Sequence, residues 1–313
     1  MGECSPTERT SFVITQDGQQ DDVGVTRRMQ IENNNGEHTL HLVLVIEDLR
    51  VGFYLTFFMN VLIGLILTKA FSNNFEVDIF TDVYGGPNIC AYFDYSPSNY
   101  VLPILWCFGL LFGCLYSVAA MLRIRIAQLE KKLTGLEAVS LILAYIYVGL
   151  SLMVFSLIFA VQPKREKPQT MIIHTFPYIN INLMFAILQV TVTYFGVKVS
   201  WAGLELPRWF WTASVVHAAT LCVASLISLL WIANAIGDMG QKDLVGKGLW
   251  WSVQSEASKL SGHVIVNVLG MILGCVLPFV QALFISRNGV NSHALVVKVS
   301  DNRMTAYVDS INA

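Results

Sequence analysis

The stretch 51–71, VGFYLTFFMNVLIGLILTKAF, decides the fold class of this chain. It holds a single charged residue, Lys69, close to its end. The hydrocarbon layer of a bilayer is about 30 Å thick, and a helix needs about 20 mostly apolar residues to cross it. Backbone polar groups cannot stay unpaired in lipid, so such a stretch is expected to be helical. The stretch therefore predicts a transmembrane helix.

Five further apolar stretches follow along the chain. They lie at about 100–122, 136–161, 171–197, 210–236 and 262–286. The composition agrees, because 54% of the residues are hydrophobic and only 13% are charged, whereas soluble domains carry about 25% charged residues. We therefore predict an all-α, polytopic membrane protein with a six-helix transmembrane domain over residues 41–287.

Polar segments flank the predicted membrane domain. Residues 1–40 are rich in Gln, Asn, Asp and Glu and are predicted to be disordered, and residues 288–313 are predicted to form a loose tail. An even number of spans places both segments on one side of the membrane. With the amino terminus in the cytosol, thirteen Lys and Arg residues are cytosolic and seven are not. The positive-inside rule thus predicts that both termini are cytosolic.

Several polar and acidic residues that could form a functional site lie on the predicted outer face. The segment 72–99 has no Lys or Arg but several acids. Asp82, Pro87, His174 and Glu256 all fall on this face and form a candidate polar cluster. A histidine at membrane depth usually faces a protein interior or a wet cavity. A helix-end histidine bonded to its own loop, and an acid favoured by the helix dipole, are the simpler alternatives.

Two G-x-x-x-G patterns lie within predicted spans. Gly109 and Gly113 belong to the second span, and Gly270 and Gly274 to the sixth. Small residues four positions apart let helix backbones approach closely. The patterns predict close helix packing, either within one bundle or across a dimer interface.

Signatures of catalysis and of cofactor binding are missing from the sequence. It has no H-x-x-E-H, C-x-x-C or G-x-S-x-G pattern and no Gly-rich phosphate loop. The net charge is −2 and no basic block occurs, so nucleic-acid binding is not expected. We expect no metal, no cofactor and no enzymatic activity.

The order of several motifs points to a family. The first outer loop reads IFTDVYGGPN at residues 79–88, with Asp82 and Pro87 followed by two aromatic residues. His174 opens the fourth span and Glu256 precedes the sixth. This order resembles the DRAM and Sfk-type family of six-span membrane proteins, which includes the damage-regulated autophagy modulators, the tentonin-like proteins and the post-GPI-attachment remodelling factor.

The resemblance implies a function in membranes. It implies a non-enzymatic multi-pass protein that modulates autophagy, organises membrane lipids or recruits lipid-modifying partners. The partners would be membrane lipids and other membrane proteins, and the location would be the lysosome, the Golgi or the plasma membrane. Remodelling of GPI-anchor lipids in the Golgi is one alternative. A channel or mechanosensor subunit is another, supported by amide side chains within the spans: Asn60, Asn182, Gln189, Asn234 and Asn267.

Overall fold

The computed structural model describes most of the membrane domain and parts of both flanks. The described residues are 29–34, 37–71, 91–161, 168–199, 206–241, 272–288, 293–300 and 303–310.

Helices make up the described part of the membrane domain. In chain order they are α1 (Ile46–Phe71), the short α2 (Ala91–Asp94), α3 (Ser98–Leu129), α4 (Gly135–Phe155), α5 (Pro168–Val199), α6 (Arg208–Gln241) and α7 (Leu277–Asn288). A 3₁₀ turn, Ser156–Phe159, extends α4, and a π-helical turn, Ile272–Val276, precedes α7.

Five of the described helices are long and apolar enough to cross a membrane. The apolar spans are Ile46–Phe71, Ser98–Leu129, Gly135–Phe159, Asn180–Val199 and Arg208–Leu226. The prediction of an integral membrane protein built from transmembrane helices is thereby confirmed. The sixth predicted span is described only from residue 272 onwards, as the shorter apolar helix Ile272–Arg287, so the count of six stays a prediction.

A four-stranded antiparallel sheet joins the two flanks. Its strands are β1 (Met29–Asn34), β2 (Glu37–Val45), β3 (His293–Ser300) and β4 (Arg303–Ser310), in the order β1-β2-β3-β4. The pairing of β2 with β3 connects the segment before α1 to the segment after α7. Because β2 runs directly into α1, both ends of the membrane domain lie at one end of the bundle, called the sheet end below.

The sheet corrects the predictions for the flanks over their described residues. Residues 29–34 and 37–40, predicted to be disordered, lie in strands, and so does much of the tail predicted to be loose. The segment 41–50 divides at Val45 into the end of β2 and the first turn of α1. The physical reason is local, since runs such as LHLVLV and ALVV contain the β-branched and large apolar residues that favour strands.

Aromatic side chains form the centre of the bundle. Trp106 of α3 lies 4.8 Å from Phe155 of α4 between ring centroids, and Phe57 of α1 lies 5.2 Å from Phe185 of α5. Many large apolar side chains point outward instead, among them Phe58 and Ile104. Apolar residues on both the inside and the outside are expected for helices surrounded by lipid.

Candidate functional site

The predicted outer-face cluster lies largely outside the described residues. Asp82, Pro87 and Glu256 are not among them, and for His174 only the backbone, in the first half of α5, is described. The cluster therefore stays a prediction.

The glycine patterns face neighbouring helices of the same chain where they are described. A Cβ atom at Gly113 would overlap Leu152 of α4, and one at Gly109 would lie 3.4 Å from Thr56 of α1. At Gly274 a Cβ atom would lie 3.2 Å from the Phe185 ring of α5. Gly270 is outside the described residues. These contacts are the close helix packing that the patterns favour within one bundle.

Three buried charged side chains meet at the sheet end. Glu47 Oε2 lies 2.6 Å from Arg50 Nη2, close but off hydrogen-bond geometry. Glu47 Oε1 accepts a hydrogen bond of 3.3 Å from Arg123 Nη1 of α3. The Arg123 guanidinium also lies over the Phe195 ring of α5, 4.6 Å from its centroid. One carboxylate thus bridges two arginines on different helices.

Amide side chains extend this cluster across the bundle. Arg50 Nη1 donates to Gln281 Oε1 of α7 at 3.2 Å, and Gln189 Nε2 of α5 donates to the same oxygen at 3.1 Å. Gln281 Nε2 donates to Ser214 Oγ of α6 at 2.9 Å. We call Glu47, Arg50, Arg123 and Gln281 the charged network; through it, α1, α3, α5, α6 and α7 are tied together.

The charged network is a closed structural element. The side chains of Glu47, Arg50 and Arg123 are at most 2% exposed. Taking charges out of water costs several kcal/mol per ion, which good pairing offsets only in part. The network therefore couples helices and gives little access to a ligand.

Sequence reasoning missed the charged network because its charges lie near helix ends. In the sequence, Arg123 directly follows the predicted end of the second span near residue 122, and Glu47 and Arg50 precede the predicted start of the first span at residue 51. A signal was available, since acid and base three residues apart share one helix face. The face that carries Glu47 and Arg50 lies at the start of an apolar helix, so these charged side chains need a polar partner on a neighbouring helix.

An open groove lies between α4, α5 and α6. Its volume is about 590 Å³, within the roughly 300–1,000 Å³ of typical ligand sites. Leu136, Val190 and Leu226 are exposed at its edges, so the groove opens towards lipid. Its lining, mostly apolar, is Leu136, Glu137, Ser140, Leu141, Ala144, Leu183, Ala186, Ile187, Val190, Thr191, Tyr194, Cys222, Ser225 and Leu226.

Polar and charged side chains lie at one end of the groove. Thr134 caps α4 in a capping box, in which its backbone N and Oγ1 each lie 2.8 Å from Glu137 Oε2. The other oxygen, Oε1, accepts a 2.6 Å hydrogen bond from Tyr194 Oη and lies 3.2 Å from Lys198 Nζ. Thr134, Glu137, Tyr194 and Lys198 are called the mouth below. The groove thus has an apolar body and a charged, hydrogen-bonding end.

The mouth lies at the sheet end. The loop 130–134 leads from the end of α3 to Gly135, the start of α4. The same last turns of α3 carry Arg123, which bonds to Glu47 just after β2. The charged network and the mouth of the groove are therefore at the same level of the bundle, on different sides.

The described part of the chain contains no set of side chains that could form a metal site. Within those residues, no group of three or more His, Cys, Asp or Glu side chains is placed to hold a metal ion. Comparisons with protein-family models, curated proteins and solved structures find no match. The arrangement of the site itself must therefore support any functional conclusion.

Proposed function

We propose that this chain is a non-enzymatic six-span membrane protein, with both termini in the cytosol, that organises membrane lipids by binding them in its groove. The groove is the observation that carries this proposal. It combines an apolar body, an opening towards the bilayer and a charged mouth at one membrane face. A lipid has the same division into apolar chain and polar head.

The pairing of the flanks supports an even number of spans. Since β2 pairs with β3, the chain enters α1 and leaves α7 at the same end of the bundle. An odd number of crossings would place these strands on opposite sides of the membrane. Five long helices together with the shorter apolar helix Ile272–Arg287 fit six crossings.

The charge distribution supports a cytosolic sheet end. Arg125, Lys131, Lys132 and Lys198 lie around the end of α3, the following loop and the end of α5. Basic residues at helix ends are characteristic of the cytosolic face. The resemblance to the DRAM and Sfk-type family is consistent with this orientation, and with a role in autophagy or in recruiting lipid-modifying partners in endomembranes or at the plasma membrane.

A groove-filling variant tests lipid binding. Ala144 lines the groove, whereas its neighbour Leu143 is 58% exposed outside it. The test is to reconstitute wild type, Ala144→Trp and Leu143→Trp into nanodiscs that contain a phospholipid with a photoreactive acyl chain, and to map the cross-links by mass spectrometry.

Wild type and Leu143→Trp should cross-link equally to peptides of α4, α5 and α6. Ala144→Trp should lose most of these cross-links, because the indole occupies the space of the chain. Cross-linking that is equally strong in all three proteins would contradict the proposal.

A further inference from the structure

The residues at the mouth of the groove indicate which class of lipid the groove binds. We infer that the groove holds one acyl chain of an anionic glycerophospholipid from the leaflet at the sheet end, with the lipid phosphate against Lys198. This inference rests on the proposed lipid-binding function and adds the headgroup class and the leaflet.

The depth of the groove matches one leaflet. On α5 its lining runs from Tyr194, next to the mouth, to Leu183. At 1.5 Å per residue this distance is about 16 Å. The hydrocarbon layer is about 30 Å thick, so one leaflet contributes about half of that. Over the described residues, the groove therefore accommodates a chain that enters from the sheet end and lies in that leaflet.

The saturation of Glu137 argues against a cationic headgroup as the anchored part of the lipid. Both carboxylate oxygens of Glu137 already accept hydrogen bonds, from Thr134 and from Tyr194, and Lys198 lies beside one of them. A choline or ethanolamine group would have to compete with these partners. The acid instead holds Lys198 in position at the mouth.

Lys198 provides the attraction for a phosphate. Its side chain is 48% exposed, and an ammonium group has three donors, of which the ion pair with Glu137 directs one. Lys131 and Lys132 lie in the loop just before Thr134, and only Glu130 in that loop is acidic. Basic residues at a membrane surface favour anionic lipids. The rim of the mouth is thus complementary to a phosphate with net negative charge.

A lipid competition experiment tests the inference. Nanodiscs contain equal amounts of phosphatidylglycerol and phosphatidylcholine with the same photoreactive chain, and the cross-linked lipids are counted by mass spectrometry. The proteins are wild type, Lys198→Gln, Ala144→Trp and Arg287→Gln. Arg287 is an exposed basic residue at the end of α7, which packs on α1 away from the groove, so it serves as the matched control.

Wild type and Arg287→Gln should favour phosphatidylglycerol by about fivefold, the ratio that corresponds to one basic residue near a membrane surface. Lys198→Gln should reduce the ratio to near one while total cross-linking to the groove is retained. Equal labelling by both lipids in wild type, with no effect of Lys198→Gln, would overturn the headgroup assignment and leave the proposed function standing.

Other outcomes identify other occupants. If neither lipid labels the groove of wild type, the inference and the proposed function fail together. Cross-links from the groove to a second copy of the chain would overturn both in favour of a dimer contact. Loss of the phosphatidylglycerol preference on adding soluble glycerol 3-phosphate would assign the mouth to a free phosphate compound and overturn the lipid headgroup.

Discussion

The charged network and the groove lie at the same end of one bundle, yet they use polar groups in opposite ways. In the charged network, Glu47, Arg50 and Arg123 are almost fully buried and are directed at each other. At the groove, Lys198 and Glu137 remain partly exposed beside an open apolar surface. Buried charges that satisfy one another stabilise an arrangement of helices, whereas partly exposed charges beside an open cavity remain available to a ligand.

The largest effect is expected from breaking the charged network. Glu47→Gln leaves two buried arginines without their shared counter-charge, and loss of one partner of a buried pair costs about 3–5 kcal/mol. Unfolding free energies in mixed micelles measure this cost. Glu130→Gln is the control, because its 2.8 Å pair with Lys132 is about half-exposed and such pairs contribute about 0–1 kcal/mol. Equal destabilisation by the two variants would show that the network does not hold the helices.

An intermediate effect is expected where α3 packs against α4. Gly113→Ala inserts a methyl group into the space of Leu152 and against the ring of Phe53, and overpacking of this kind costs about 1–3 kcal/mol. Gly149→Ala on α4 is the matched control, since a Cβ atom there has no neighbour within 4 Å. It should be neutral or should stabilise by up to about 1 kcal/mol, because alanine favours helix more than glycine does. If Gly113→Ala proves as harmless as the control, the contact between these helices is looser than described.

The smallest effect on stability is expected in the groove. Ala144→Trp adds a large side chain to open space, so its free energy of unfolding should stay within about 0.5 kcal/mol of wild type, as for surface substitutions. The loss of lipid cross-linking in Ala144→Trp would then be caused by the indole that occupies the groove, and not by unfolding. A large destabilisation would mean that Ala144 is closely packed and the groove is not open. The contrast between a closed charged network and an open groove would then be contradicted.

Much of the fold could be predicted from apolar stretches alone. Helix Ile46–Phe71 ends at the predicted residue, and the helices Ser98–Leu129 and Gly135–Phe155 begin within a few residues of the predicted starts. The later end of α3 has a physical cause. Helix α3 continues to Leu129, beyond the predicted end near 122, because Arg123 is neutralised inside the bundle by Glu47 and its helix need not stop at the charge.

The sheet and the groove could not be predicted in the same way. The pairing of β2 with β3 depends on residues that are about 250 positions apart, such as Leu42 and Val297, and a local pattern does not encode such a partner. The groove results from side chains of three helices that leave space between them. The sequence places Glu137 in the first turn of an apolar stretch, where the helix dipole favours an acid, whereas its contacts with Tyr194 and Lys198 come from another helix.

The most direct test is a density map of the chain by electron cryo-microscopy in nanodiscs that contain anionic phospholipid. We expect an elongated density between α4, α5 and α6 that runs along the groove from Leu183 to Tyr194 and ends in a headgroup beside Lys198. A groove filled by the chain's own side chains, or by a helix of a second copy, would contradict it.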